Sequence, residues 1–269
     1  MVKKVVLSAK KSELIKKITE RLNNETSIEL ISHDPTKHFL DLENLAKKFS
    51  GIDLLVVKVR NECSIDLLHF AKIHDIPTLH DVNTVLICKN KVALDETFRY
   101  ILQKYSKELS NFAVPKSWTH SVRDVEKFKD WAASRLPIVI KSHYQHDKYN
   151  RFNFLARSLE EIDDFSKKYS KFLYYNVFIQ EFIESDGIER KVNVVGEEIY
   201  GTQRENPIYL WMREHPDSID VRTIDREKFQ ITNEMKKLAE IFSKELNLKL
   251  FNFDLLKPCL LYTSPSPRD

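Results

Sequence analysis

The sequence predicts an α/β fold for roughly its first third and an α+β arrangement for the rest. Three observations carry this. Short β-branched runs alternate with amphipathic stretches up to about residue 80, the pattern of a parallel sheet with crossover helices. The run "IDLLVVKV" is apolar almost throughout, as a central parallel strand would be. Beyond Pro115 the runs "LPIVIK", "RFNFLA", "NVFIQEFI", "ERKVNVV" and "EEIYGTQ" follow one another through turns or one helix, as antiparallel hairpins do.

Taken in order, Val2–Leu7 reads as a strand. Ser12 is the N-cap of a helix over Glu13–Leu22, with Leu14, Ile15, Ile18 and Leu22 on one face. Ile28–Ile31 is a second strand, "LENLAKKF" a helix, Ile65–Ile73 another, and "IPTLH" a short strand. Ligands of such parallel sheets sit in the loops at the C-terminal strand ends. Residues 93–110 and Leu159–Tyr169 read as helices, and Arg226–Leu246 as one long amphipathic helix before the strand "LKLFNFDLL". There is no internal repeat.

The chain has 269 residues, room for one large or two to three small domains. A net charge of +3 is too small to argue for nucleic acid or a membrane surface, so neither is expected as a partner, and a monomer is expected. Cys63, Cys88 and Cys259 lack the paired spacing of a disulfide framework or a zinc site. The N-terminal apolar run is too short for a signal peptide and no run reaches membrane-spanning length, so a cytoplasmic location is expected. The four glycines, Gly51, Gly187, Gly196 and Gly201, do not cluster, which excludes a glycine-rich phosphate loop.

Four charges stand inside or at the end of apolar strands: Lys58, Lys141, Lys191 and Asp254. Burying a lysine costs several kcal/mol without an anionic partner. Each alone also fits an edge lysine whose stem reaches water. Together, lysines converging on an anion beside an acid for Mg²⁺ would suit the phosphates of ATP. "VFIQEFIE" is a candidate adenine strand with Gln180 and Glu181 beside the base, and equally an ordinary amphipathic strand. His143 and His146 fall in a polar loop after Lys141, where phosphate contact and plain solvation are both open.

The order of these motifs resembles the inositol 1,3,4-trisphosphate 5/6-kinase (inositol tetrakisphosphate 1-kinase) family of the ATP-grasp fold. The likeness runs from about Lys3 to Pro258 and is most specific in "FIQEFIESDGIERKVNVVGEEIYGTQREN" and "LNLKLFNFDLLKP". "SAKK", "DLLVVKV", "ICKNKVAL", "AVPKSW" and "LPIVIKS" fall in the family's order. The resemblance implies an N-terminal parallel α/β domain over 1–85, a central ATP-grasp lobe over 86–179 and a C-terminal lobe over 180–258. It implies that Lys91 and Lys141 contact ATP phosphates, and that Gln180, Glu181 and Phe182 surround the adenine. Lys191 would face nucleotide and substrate phosphates, Asp254 would be a magnesium ligand, and Lys11, Lys58 and Arg204 would hold an inositol polyphosphate. Arg151 stands near the place of a substrate-binding histidine that this chain lacks, in a loop without glycine, and Glu184-Ser185 replace the usual Asn-His.

The family continues beyond the Asp254 strand with a strand bearing Asp-x-Asn. Here "CLLYTSPSPRD" follows, the string a common transposon sequencing adapter gives in translation, so 259–269 is expected to be an artefact. The expected activity is Mg²⁺-dependent transfer of the ATP γ-phosphate to a hydroxyl of an inositol polyphosphate, with the present chain an inactive fragment. The alternatives are an ATP-grasp carboxylate–amine ligase and a non-catalytic inositol-phosphate binder.

Overall fold

The computed structural model describes residues 2–35, 37, 41–58, 62–143, 152–172, 176–214, 223–257 and 261–267. The chain divides into two compact units, Met1–Leu86 with Asn247–Lys249, and Ile87–Leu246 with Leu250–Arg268.

In the first unit β1 (Lys3–Ser8) lies between β2 (Ile28–His33) and β3 (Leu54–Val57), all parallel. Helix α1 (Glu13–Asn23) crosses from β1 to β2, and Ser12 Oγ accepts from Ile15 N at 3.3 Å as its cap. The helix expected over "LENLAKKF" shrinks to one turn, α2 (Leu45–Lys48). The cause is Asp41, whose carboxylate accepts from Asn44 Nδ2 at 2.7 Å and Glu43 N at 3.2 Å, a local turn that competes with helix. Helix α3 spans Glu62–Ile73. Val6, Leu45, Phe49, Ile52, Leu55, Leu67 and Ala71 form the core. "IPTLH" contributes a single bridge, Leu55 to Thr78. Helix α4 (Val82–Lys89) leads out of this unit.

The second unit opens with α5 (Lys91–Lys104), which starts at Lys91 because Asn90 Oδ1 accepts from Val92 N and Ala93 N. It holds two sheets. The first is antiparallel, in the order β5 (Ser117–Ser121), β8 (Asn176–Glu181), β6 (Ile138–Lys141), β7 (Asn153–Ala156). Helices α6 (Val125–Ala132) and α7 (Leu159–Lys168) share its core, with Phe128, Ile138, Ile140, Phe165 and Ile179 fully buried.

The second sheet has the order β11 (Glu227–Phe229), β10 (Glu198–Glu205), β9 (Ile188–Val195), β12 (Leu250–Leu256), β13 (Leu261–Pro267), β4 (Phe112–Ala113). Helix α8 (Pro207–Glu214) follows β10, and α9 (Asn233–Leu246) precedes β12. Residues alternate across this sheet. Val192, Val194, Phe251, Phe253 and Leu255 are buried in step with Leu238 and Phe242 of α9, and the intervening residues are polar. A Cβ at Gly201 would lie 2.6 Å from the Phe229 ring and 2.7 Å from its carbonyl oxygen, so β10 and β11 approach only because this residue is glycine.

The single helix expected over Arg226–Leu246 is corrected by the structure. Glu227–Phe229 pairs with β10, where Gln203 Nε2 donates to Glu227 Oε1 at 2.6 Å. The helix begins only after Thr232, whose Oγ1 accepts from Met235 N at 3.2 Å. Helical spacing of apolar residues extends past the cap; the cap sets the boundary.

Candidate functional site

The site grows from the polar face of the six-stranded sheet. Glu189, Lys191 and Asn193 alternate along β9, so all three share that face. Asp254 on β12 is in register with Lys191, and Asn252 with Asn193. Lys191 Nζ lies 2.8 Å from Asp254 Oδ1 and 3.5 Å from Asn252 Oδ1. The Asp254 contact is an ion pair without hydrogen-bond alignment, so Oδ1 is buried with no aligned donor. Asn193, fully buried, donates through Nδ2 to Lys191 O, Tyr200 O and Thr202 Oγ1, which fixes β9 against β10. Arg204 on β10 is in register with Glu189 and paired to it.

Lys141 ends β6 of the other sheet. Its Nζ donates to Gln180 Oε1 at 2.5 Å, a neutral partner. Burial, and after it nearby Lys91, bring the Lys141 ammonium down to about 7 against the opposing pull of Asp254 and Asp95. Lys91 takes the first position of α5, where the helix dipole disfavours a cation. Its pKa is lowered, chiefly by burial, while Asp254, Cys88 and Asp95 hold it up and Lys191 lowers it. Its backbone N–H donates to His143 O at 3.2 Å, which ties α5 to the segment after β6. Thus Lys91, Lys141, Lys191 and Asp254 act on one another electrostatically. Asp95 is committed elsewhere: it accepts from Arg99 Nε at 2.8 Å and Ser117 Oγ at 2.7 Å.

At the end of β8 the expected adenine residues are partly committed. Gln180 holds Lys141, and Glu181 Oε1 accepts from Lys116 N at 2.7 Å. The backbone N–H of Glu181 donates to Lys116 O, and that of Phe182 to Pro137 O. Phe182 packs at a tilt on Tyr209, ring centroids 5.8 Å apart. Gln180 Oε1, Glu181 Oε1 and these two backbone N–H groups are therefore taken, which leaves any adenine contact to other atoms of the three residues. Burial lowers the pKa of His143.

Lys11 and Lys58 belong to the first unit, Lys11 exposed after β1 and Lys58 half-buried after β3, its N–H donating to Ser8 O at 2.9 Å. Arg151 and His146 lie outside the described residues. The sequence reading gave no role to Glu189 or Asn252. The alternation Glu189-x-Lys191 and the spacing Asn252-x-Asp254 on neighbouring strands carried the signal, but only the register reveals it.

Among the described residues no group of three or more His, Cys, Asp or Glu could hold a metal, and no helix is long and apolar enough to cross a membrane. Asp254 with its undonated oxygen fits a single carboxylate ligand of Mg²⁺, an ion usually held by one or two carboxylates together with phosphates.

No protein-family model matches the chain, and no curated protein matches it. Solved structures do. An ATP-grasp RimK domain protein from Sphaerobacter thermophilus aligns with TM-score 0.70 at 14% identity, covering 99% of this chain and 92% of that one. A RiPP-associated ATP-grasp ligase from Chryseobacterium gregarium, solved with ADP and a leader and core peptide, gives 0.63 at 14%, covering 98% and 89%. D-alanine–D-alanine ligase from Bacillus anthracis, complexed with ATP, gives 0.65 at 12%, covering 99% and 86%. The fold is therefore ATP-grasp, with an N-terminal parallel α/β sheet.

Proposed function

We propose that this chain is an ATP-dependent enzyme that moves the γ-phosphoryl group of ATP onto an oxygen of an acceptor. The observation that supports it is the convergence of Lys91, Lys141 and Lys191 on Asp254 in the second unit, with two of the lysines depressed by burial. Such lysines regain charge and stability when a polyanion arrives. Lys91 and Lys141 offset nucleotide phosphate charge, and Lys191 moves from Asp254 to the transferring group. Asp254 is the residue that would hold Mg²⁺, which supplies further charge neutralisation when bound. Phe182 and the strand end around Gln180 and Glu181 flank the adenine. Positioning and electrostatics supply most of the acceleration.

The acceptor supported by the structural neighbours is a carboxylate. Its oxygen attacks the γ-phosphorus and ADP leaves; an amine then attacks the acyl carbon and phosphate leaves, giving an amide. The RiPP-associated protein and D-alanine–D-alanine ligase are both named as ligases. A second reading keeps the first step and makes the acceptor a hydroxyl of an inositol polyphosphate, the acceptor in the family that the quoted segments resemble. Lys191 favours it, since ligases of this fold often carry arginine there. Arg204 of the second unit would then hold a phosphate of the acceptor.

ATP labelled at the γ-phosphate separates the two. Label retained on an inositol phosphate marks the kinase; amino acid- or peptide-dependent release of label as phosphate, with ADP, marks the ligase. Turnover with neither panel, together with no binding of Mg·ADP, would sink the enzymatic reading.

A further inference from the structure

Glu189 has no role in the reading above, yet it is the least expected charge on the sheet. It stands on β9 two residues before Lys191, directly across from Arg204 on β10. Arg204 donates through Nε to its Oε1 at 2.8 Å, and Nη2 lies 2.7 Å from the same oxygen as an ion pair. Both side chains are mostly buried, 15% and 11% exposed. Burial raises the pKa of Glu189, and the like charge of Asp254 raises it again, against Arg204 and Lys191. A buried ion pair of this kind often contributes little net stability compared with apolar residues of the same size. What it does contribute is orientation. An unpaired arginine samples many rotamers; one whose Nε–Nη2 edge is taken has its plane set before a ligand arrives.

We propose that Glu189 is a positioning residue. It clamps the Nε–Nη2 edge of Arg204 and thereby presents the guanidinium to a phosphate group on the face that Lys191 and Asp254 share. This rests on the phosphoryl-transfer reading. The clamp makes a prediction opposite in sign to simple electrostatics. A carboxylate beside an anion site repels the anion, so its removal should tighten binding; if it positions Arg204, its removal weakens binding.

The test titrates inorganic tripolyphosphate, and separately Mg·ADP, into the wild type, Glu189→Gln, Arg204→Lys, Arg204→Met and the Glu189→Gln/Arg204→Met double variant by calorimetry. Glu189→Gln is expected to weaken tripolyphosphate about 10-fold, and to change affinity less than about 2-fold once Arg204 is methionine, the coupling expected of partners in one network. Arg204→Lys keeps the charge but cannot be clamped at two nitrogens, and is expected to lose about as much as Glu189→Gln. It carries the test if Glu189→Gln does not fold. Unchanged or tighter binding in Glu189→Gln, or unchanged binding in Arg204→Lys, overturns the proposal. Wild type that binds Mg·ADP but not tripolyphosphate also overturns it while the nucleotide reading stands. Wild type that binds neither removes both.

Discussion

The two sheets of the second unit handle buried charge differently. The four-stranded sheet has one lysine at a strand end, Lys141, and gives it a neutral amide partner, Gln180. The six-stranded sheet pairs two sets of charges across the ladder, Lys191 with Asp254 and Glu189 with Arg204. The difference follows from position. A strand-end lysine can discharge by losing a proton, whereas charges within a ladder are held face to face by register and neutralise one another. On the proposed reading the first arrangement would take an anion directly, and the second would exchange partners to receive one.

The largest expected effect breaks the paired sheet. Asp254→Asn removes the carboxylate proposed to hold Mg²⁺ and leaves Lys191 without its ion-pair partner. Mg²⁺-dependent ADP release is expected to fall about 100-fold or more, as for loss of one strong transition-state contact, while far-UV circular dichroism stays unchanged. Activity within a few-fold of wild type would remove Asp254 from the site.

The next breaks the other sheet. Lys141→Met is expected to weaken Mg·ADP about 10- to 100-fold, the scale of a buried charge contact, without loss of thermal stability at neutral pH. The sign with pH is definite. The folded pKa of Lys141, about 7, lies below its ordinary value of 10.5, so above pH 7 the unfolded chain binds more protons and stability rises with pH across that window. Relative to Lys141→Met, wild type should gain stability from about pH 7 upward. Nucleotide binding near pH 8 should take up a proton, visible as a binding heat that depends on buffer ionisation, and affinity should fall as pH rises. Binding without proton uptake would show that Lys141 is already charged in the free protein.

Smaller effects sharpen the packing side of the comparison. Gly201→Ala forces a Cβ into the Phe229 ring and carbonyl, and is expected to cost about 1–3 kcal/mol in urea unfolding. Lys129, between α6 and α7 above the four-stranded sheet, pairs with Asp163 at 3.0 Å on a partly exposed surface. Lys129→Ala is expected to cost about 0–1 kcal/mol. Equal losses at the two positions would contradict the view that close strand approach matters more here than surface charge.

The comparison also separates what could be read from the chain from what could not. Ser12 as a cap, the apolar run of β3 and the hairpin pattern of β6 to β10 rest on local preferences, and these hold in the structure. The ATP-grasp fold followed from motif order. The helix over Arg226–Leu246 failed locally because β11 exists only through its pairing with β10, a partner far off in sequence from a helix's point of view. Likewise Glu181 looked available for adenine, and only the approach of β5 to β8 shows its carboxylate capping Lys116 N.

By itself the sequence determined many of the elements, the change from α/β to α+β organisation and the residue types that carry charge in apolar strands, because spacing and capping are properties of neighbouring residues. Which charge meets which was decided by tertiary structure. Lys191 faces Asp254 and Glu189 pairs with Arg204 because strand register fixes these pairs, and register in this sheet is set by burying the opposite face, Val192, Val194, Phe251 and Phe253, against α9. A shift of one residue would put the same charges into the core, so the apolar face selects the pairs that form on the polar one.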